Sequence, residues 1–263
     1  MNDNLLSADP RQWDAAIRNQ LASISMASQV LLKRCASEQD ASLLLSIHQA
    51  SMRIALVMEH TGLAAKLEDE DELRAVFGAL DLVSWCRERV ETAAPLLEMM
   101  GVTLTFRCEE ASMVTQADGG QLEHLLFALL SNGAKAMPKG GSLTVTLSRT
   151  SRAAVLTVGD EGEGVGEEAL ERLFGQTPPT PDLTPGAGAG LGLKLSRAIA
   201  EVHGGLLMVD TAPGGGTRAV VSLPLRSGRP SRLQSTPHSG SLRDRALVGL
   251  SDVLPPEAFL SNQ

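Results

Sequence analysis

Apolar residues recur every three or four positions in the first quarter of the chain, which is the spacing of a helix with one buried face. The first stripe follows Asp9 and Pro10, a pair suited to begin a helix, and contains Trp13, Ile17, Leu21, Ile24, Ala27 and Leu31. After a short polar segment, a second stripe contains Leu44, Ile47, Ser51, Ile54, Met58, Thr61 and Ala65. The pattern predicts a helical hairpin over residues 1–72. A single hairpin buries little surface, so we expect a homodimer in which residues 10–68 form a four-helix bundle.

An acidic run at residues 68–72 separates this hairpin from a second pattern, in which short alternating segments are mixed with amphipathic helices. Strands are predicted at residues 79–82, 102–106, 113–116, 142–147, 153–158, 206–209 and 218–223. A helix is predicted over 118–136, and another leads from the first strand to Gly101. Helices and hairpin strands in this order predict an α+β sandwich over residues 73–225.

The last segment, residues 226–263, is rich in Ser, Pro, Gly and Arg up to Asp244 and shows no apolar period. This composition predicts a disordered tail. A short amphipathic piece at 246–260 leaves docking open as an alternative.

The composition of the 263-residue chain argues against several classes of protein. The net charge is −8 and aromatic residues make up only 3%, which argues against a nucleic-acid surface. Apolar runs are shorter than the roughly 18 residues that span a bilayer, and the first residues are neither basic nor apolar, so we expect a cytoplasmic protein without a membrane span. The three cysteines, Cys35, Cys86 and Cys108, are far apart and contain no Cys-x-x-Cys pair, which argues against a zinc ribbon or a disulfide scaffold.

Three glycine clusters mark candidate chemistry: residues 160–164, 186–193 and 214–217. Glycines just before a helix allow backbone N–H groups to approach an anion, and the helix dipole favours negative charge there. Asp160, at the end of a strand, can accept a hydrogen bond from an amino-bearing base. Together these features predict a purine–phosphate site. The P-loop pattern is absent, and the glycines come too late in the chain for a dinucleotide-binding βαβ unit.

Two polar residues on the helix at 118–136 extend this site. Asn132 and Lys135 are three residues apart and therefore share a helix face. An amide oxygen can coordinate Mg²⁺ carried by a nucleotide, and a lysine can reach phosphate oxygens.

The order of these motifs resembles the ATP-binding domain of histidine kinases, in the superfamily that also includes gyrase, the Hsp90 chaperones and MutL. Residues 129–135 resemble the N box, residues 160–164 the G1 box, Phe174 part of the F box, and residues 188–193 the G2 box. The resemblance implies a GHKL ATPase (Bergerat) fold that binds ATP and Mg²⁺. It implies that Asp160 holds the adenine amino group, that Asn132 holds Mg²⁺ and that Lys135 faces phosphates. The implied nucleotide-binding set is completed by Gly162, Gly164, Gly188, Gly190, Leu191, Gly192, Leu193 and Thr217, with residues 175–186 as a mobile ATP lid.

The chain departs from the family pattern at several positions. The first N-box Asn is Ala128, the aromatic residue after the N-box Lys is Ala136, and the second Phe of the F box is missing. Each change is expected to weaken nucleotide affinity or lid closure, while the implied Mg²⁺ and adenine contacts are kept.

The hairpin also resembles the dimerisation helices of this family, in which a His followed by an acidic residue attacks ATP. The matching residues are Ala15 and Ala16, so the usual phosphoacceptor and base are both replaced. Asn19 stands where the family has a Thr or Asn that orients water during dephosphorylation of a partner. His60, on the second helix, stays open as a substitute acceptor.

The resemblance therefore implies a cytoplasmic, dimeric, ATP-binding regulator of a two-component system. It would bind a response regulator receiver domain or another histidine kinase, or dephosphorylate the response regulator. Two alternatives remain: an active kinase with an unusual acceptor or a protein substrate, and a scaffold with a decayed ATP site. The predicted helix start at residues 9–10 leaves no room for a sensor domain before it, so we expect the input signal to come from a partner, the nucleotide or the tail.

Overall fold

A computed structural model of the chain describes residues 10–35, 37–68, 75–164, 191–212, 214–226 and 240–260. Two antiparallel helices open the fold, α1 (Pro10–Leu32) and α2 (Glu38–Glu68). Leu21, Leu45 and Leu56 are buried in the hairpin. The ring of His48 in α2 is hydrogen-bonded to α1, with Nδ1 3.0 Å from the Ser25 hydroxyl oxygen. The predicted helical hairpin is therefore present in the structure.

Part of the apolar stripe that predicts dimerisation is exposed in a single chain, whereas Leu21 and Ser51 of the same stripe are buried. Its members Ile17, Ile24, Leu31, Ile47 and Ile54 are all at least 43% exposed. Exposed aliphatic residues at this spacing form a contiguous face of the hairpin, and such a face is typical of a helix–helix interface.

The α/β unit contains seven strands and three helices in the described residues. They are β1 (Gly78–Asp81), α3 (Leu82–Glu98), β2 (Val102–Cys108), β3 (Val114–Ala117), α4 (Gly119–Lys135), β4 (Gly141–Arg149), β5 (Ala153–Asp160), α5 (Gly192–Val202), β6 (Leu206–Thr211) and β7 (Thr217–Pro224). Strands β1 and β3 form an antiparallel pair. The other five form a mixed sheet in the order β2-β4-β5-β7-β6, in which only β2 and β4 run parallel. The predicted α+β architecture is confirmed.

One face of the five-stranded sheet carries the core. Alternate residues along the central strands are buried, as at Leu143, Val145 and Leu147 of β4, while their neighbours are partly exposed. Helices α3, α4 and α5 cover this face. The alternation follows from the two-residue period of a strand, so one face is apolar and the other polar.

The start of α4 is fixed by side chains from two elements. Asp118 caps the helix by accepting hydrogen bonds from Gly120 N (2.9 Å) and Gln121 N (3.1 Å). The backbone N–H of Asp118 donates to His203 Nε2, and the other ring nitrogen of His203 lies 2.7 Å from the Ile199 carbonyl. This pairing requires the neutral ring with its proton on Nδ1, and burial lowers the pKa of His203 accordingly. The start of α4 is thereby tied to the end of α5.

The prediction of a disordered tail is wrong for residues 240–260. This segment forms α6 (Leu242–Gly249) and a short 3₁₀ helix (Pro256–Phe259). Its apolar side chains are buried against the rest of the protein, namely Ala246, Leu247, Leu250, Leu254, Ala258 and Phe259. Ser241 and Asp244 form a capping box at the start of α6. The segment packs on helices that are distant in sequence. Local composition therefore does not indicate that it folds.

The C-terminal segment, residues 240–260, bridges the hairpin and the α/β unit. Gln49 of α2 donates to the Leu254 carbonyl at 2.6 Å, and Arg53 Nε donates to the Ser251 carbonyl at 3.1 Å. On the other side, Arg245 of α6 pairs with Glu123 of α4. These polar contacts hold the segment between α2 and α4.

Helix α2 is also the one described helix that is long and apolar enough to cross a bilayer, by length and composition alone. The qualifying stretch is Glu38–Leu63, with a mean hydropathy of 1.3. The same stretch carries the buried polar residues His48, Gln49, Ser51 and His60, and it packs against α1 and the C-terminal segment.

We predict that Leu250→Ala will destabilise the protein by about 2–5 kcal/mol, because Leu250 is fully buried and truncation leaves a cavity. The measurement is urea unfolding at neutral pH. Leu260→Ala is the matched control, because Leu260 is 43% exposed and its loss is expected to cost less than about 0.5 kcal/mol. Equal effects of the two variants would show that the C-terminal segment is not packed as described.

Candidate functional site

The candidate site forms where the C-terminal half of α4 meets the end of β5. Gly133 of α4 allows the close approach: a Cβ at this position would lie 2.5 Å from the buried Leu143 Cδ1 and 3.5 Å from Asp160 Cβ. The helix therefore runs directly beside Asp160. Asn132 and Lys135, on either side of Gly133 in sequence, are carried to the same end of the sheet.

Asp160 organises the turn that follows β5. Its Oδ1 accepts hydrogen bonds from Gly162 N (2.9 Å) and Thr217 N (3.0 Å), which join the glycine turn to the start of β7. No described residue donates to its second oxygen, Oδ2. A carboxylate with one oxygen anchored and the other unpaired can accept one further hydrogen bond in a defined direction.

Glycine is required at two positions around this carboxylate. A Cβ on Gly162 would lie 2.6 Å from the Ala136 carbonyl oxygen, and a Cβ on Gly216 would clash with the Asp160 carbonyl. Gly216 also has a φ of 83°, which side-chain-bearing residues rarely adopt. The turns at residues 160–164 and 214–217 therefore close tightly against the end of α4.

Asn132 has an unpaired amide atom at the same place. Its Nδ2 is buried and has no hydrogen-bond partner among the described residues. The nitrogen and oxygen of a side-chain amide exchange places by rotation, so this position can present either a donor or an acceptor. Because an unpaired buried amide is costly, Asn132 is suited to a polar ligand that the chain itself does not supply.

The start of α5 contributes backbone donors to this site. Leu191 is the N-cap of the described helix, and among the described residues no side chain caps its first N–H groups. A Cβ on Gly192 would lie 3.4 Å from Ala128 Cβ, so the first turn of α5 packs directly against α4. A helix start that packs on α4 one turn before Asn132 favours an anionic ligand there.

Lys135 is the cation of the site, and it already has an internal partner. Its Nζ lies 3.1 Å from Oδ2 of Asp252, in the C-terminal segment. Both side chains are largely buried, at 23% and 18% exposure. The sequence patterns point to Lys135 but not to Asp252, which has no recognisable motif and lies in the segment predicted to be disordered.

One histidine, His60, interacts electrostatically with this ion pair, and a second, His124, contacts His60. His60 of α2 is buried, and its ring contacts that of His124 edge-on with centroids 6.5 Å apart. Burial lowers the pKa of His60 to about 4, helped by His124 and Lys135 and opposed by Asp252. His60 is therefore neutral at physiological pH.

The structure brings together most of the described residues that the sequence singles out. Asn132, Lys135, Asp160, Gly162, Gly164 and Thr217 lie at or near the end of α4. Leu191, Gly192 and Leu193 open α5, which packs on the middle of α4 at Ala128. Gly188, Gly190, the F-box residues and the predicted lid at 175–186 lie outside the described residues.

The remaining predicted site residue, Asn19, lies in the hairpin rather than in the α/β unit. Asn19, Ala15 and Ala16 are exposed on α1. No described hydrogen bond or ion pair links the Asn19 side chain to the residues around α4.

Comparison with known proteins agrees with this geometry. Residues 117–227 match the family model described as histidine kinase-, DNA gyrase B-, and HSP90-like ATPase. The chain is similar to histidine protein kinase DivJ of Caulobacter vibrioides, at 35% identity over 144 residues, which are 53% of this chain and 24% of DivJ. It is also similar to sporulation kinase D of Bacillus subtilis, at 28% identity over 80% of this chain and 40% of that kinase. The chain thus spans less than half the length of these curated relatives.

A solved structure supports the same fold. The chain superposes on full-length ShkA, crystallised in complex with AMPPNP, with a TM-score of 0.66 over 86% of this chain and 48% of ShkA. The sequence identity is 19%, so this likeness concerns the fold alone.

We predict that acid will destabilise the protein partly through His60. The folded pKa of about 4 lies below the usual value of 6.5, so the unfolded state binds the proton more readily between these pH values. Well above pH 6.5 the lowered pKa of His60 has almost no effect on the free energy of unfolding. As the pH falls towards 4 it reduces that free energy progressively, by about 2 kcal/mol at pH 5. The measurement is urea unfolding of wild type and His60→Gln at pH 7.5 and pH 5. The variant should lose less stability on acidification, and equal losses would contradict the assignment.

Proposed function

We propose that this chain, a member of the two-component sensor histidine kinase family, is an ATP-binding regulator that acts in the cytoplasm without phosphorylating itself in the usual way. The observation that carries the proposal is a contrast between the two units. The ATP-binding unit keeps Asp160 anchored with one free oxygen, whereas the hairpin has Ala15 where the family has its phosphoacceptor.

The residues around α4 fit ATP and Mg²⁺. The free oxygen of Asp160 is suited to accept the adenine amino group, and the unpaired amide of Asn132 is suited to the cation or its water shell. The uncapped first turn of α5 is suited to the phosphates. When bound, Mg²⁺ neutralises phosphate charge. The small side chains Ala128 and Ala136 leave fewer contacts to the nucleotide than the family pattern has, so we expect modest affinity.

The hairpin offers no nucleophile at the expected position. Ala15 and Ala16 are exposed on α1, and a methyl group cannot accept a phosphoryl group. Asn19 is also exposed and lies one helical turn after Ala15, on the same face. We therefore propose that this face receives a response regulator receiver domain or another histidine kinase, and that Asn19 orients water when a bound receiver domain is dephosphorylated.

Dimerisation is part of the proposal. The exposed stripe on α1 and α2, which includes Ile17, Ile24 and Ile54, would be buried in a four-helix bundle of two chains. The opposite face of α2 is already occupied by the C-terminal segment through Gln49 and Arg53, so the two kinds of contact do not compete.

Two alternatives are less well supported. An unusual acceptor would most simply be His60, but His60 is 8% exposed and packed against α4, so ATP could reach it only after the helices separate. A decayed, non-binding scaffold would have no need for the Asp160 hydrogen bonds or for the unpaired amide of Asn132.

We predict that Asp160→Asn will weaken binding of a fluorescent ATP analogue with Mg²⁺ by about 10- to 100-fold. The amide oxygen can still accept the N–H groups of Gly162 and Thr217, while the free Oδ2 becomes an NH₂ group that faces the adenine amino group. Glu161→Gln is the matched control, because it removes the same charge from an exposed neighbouring side chain and should leave the affinity unchanged. Undetectable binding by wild type, or equal effects of the two variants, would favour the scaffold.

We also predict that the purified wild-type protein will acquire no acid-labile phosphate from γ-labelled ATP, because Ala15 cannot be phosphorylated. The measurement is filter binding before and after acid treatment, with an active histidine kinase assayed in parallel. Acid-labile label on this chain, and its loss in His60→Gln, would support the alternative of an unusual acceptor.

A further inference from the structure

The C-terminal segment, residues 240–260, lies beyond the part of the chain that matches the ATPase family model, which ends at residue 227. It nevertheless packs on α4, the helix that carries Asn132 and Lys135. Gly249 fits against the Phe127 ring so closely that a Cβ would lie 2.8 Å from Phe127 Cβ. The segment is thus positioned next to the candidate nucleotide site.

Glu123 provides the main polar anchor for this segment on α4. Its carboxylate is nearly fully buried and pairs with Arg245 of α6 and with Arg89 of α3. Arg89 Nε lies 2.9 Å from Glu123 Oε2 but is not oriented to donate to it, so this contact is an ion pair rather than a hydrogen bond. A buried carboxylate between two guanidinium groups fixes the position of α6, because removing either partner would leave charge unpaired.

A second anchor, farther along the segment, involves Lys135 of the candidate nucleotide site. The Asp252 carboxylate lies 3.1 Å from Lys135 Nζ, and the pair is more than three-quarters shielded from solvent. His60, beside them, is neutral at physiological pH because burial lowers its pKa, so it adds no charge to the pair. The carboxylate therefore gives Lys135 the same charge and oxygen donor that a nucleotide phosphate would give it.

We propose that Asp252 is an internal competitor for Lys135, so that ATP binding and docking of the C-terminal segment oppose each other. The proposal rests on the proposed function, because it requires ATP phosphates to use Lys135. With Lys135 drawn to a phosphate, the segment would lose this contact with α4 while keeping the Arg245–Glu123 pair.

The consequence reaches the hairpin, because the same segment holds α2. Ser251 and Leu254 flank Asp252 and accept hydrogen bonds from Arg53 and Gln49. Release of Asp252 would therefore loosen the contact between the hairpin and the ATP-binding unit. Because binding equilibria are reciprocal, any factor by which docking weakens ATP binding is also the factor by which ATP weakens docking.

The experiment measures the affinity of a fluorescent ATP analogue with Mg²⁺ for the full chain and its Asp252→Asn variant. Removal of the competing carboxylate should tighten binding about three- to tenfold, the range expected for a partly shielded ion pair. Glu257→Gln is the matched control, because Glu257 is an exposed acid on the same segment and its loss should leave the affinity unchanged. Unchanged or weaker binding by Asp252→Asn, or an equal gain in Glu257→Gln, would overturn the proposal.

A double-mutant cycle tests whether Lys135 transmits the effect. Asp252→Asn should change the affinity much less in a Lys135→Gln background than in the wild type. Hydrogen exchange gives a readout that does not depend on affinity: saturating nucleotide should speed exchange of the α6 and 3₁₀ amides in wild type. A full effect of Asp252→Asn without Lys135, or slower exchange with nucleotide, would overturn the proposal.

Failure of this proposal can be told apart from failure of the proposed function. If wild type binds the analogue and Asp160→Asn weakens binding, while Asp252→Asn has no effect, the nucleotide site stands and the internal competition is wrong. If wild type does not bind the analogue and Asp252→Asn does not restore binding, both fail together. Binding that appears only in Asp252→Asn would support the competition strongly.

Discussion

The close packing of α4 against β4 and β5 is the constraint on which the rest of the structure depends. Gly133 removes the side chain that would meet Leu143, so the helix runs alongside Asp160. That approach brings an amide, a lysine and a carboxylate from different elements to one end of the sheet. The tight turns at Gly162 and Gly216 are possible for the same reason, since they close against Ala136 and the Asp160 backbone. The geometry of the candidate site therefore depends on close approach of backbone segments as well as on its side chains.

The same helix, α4, also contacts the C-terminal segment. Glu123 pairs with Arg245 of α6 and Arg89 of α3, Phe127 packs against Gly249, and Lys135 pairs with Asp252. Through the C-terminal segment these contacts extend to Gln49 and Arg53 of α2. One element thus links the ATP-binding unit to the hairpin, and a change at Lys135 has a direct physical route to α2.

The two units match the motifs of the histidine kinase family to different degrees. The ATP-binding unit keeps the arrangement around Asp160 and Asn132, with smaller side chains at Ala128 and Ala136. The hairpin has an exposed apolar face and carries alanine at positions 15 and 16, where the resemblance aligns a histidine and an acidic residue. In the proposal made above, the chain senses nucleotide and presents a binding face, and both properties would depend on contacts between the two units.

The sequence by itself predicted most of the helices and strands, and it singled out the residues of the candidate nucleotide site. Helical and strand periods are local, and motifs such as residues 160–164 are contiguous, so both can be read without the fold. The absence of a histidine near Ala15 was equally plain. Only the tertiary structure showed that residues 240–260 fold, that Asp252 is the partner of Lys135, and that the C-terminal segment covers one face of α2. Each depends on side chains about 100 to 200 positions apart, such as Gln49 with Leu254 and Lys135 with Asp252, and no local pattern records which distant surface will exclude water from them.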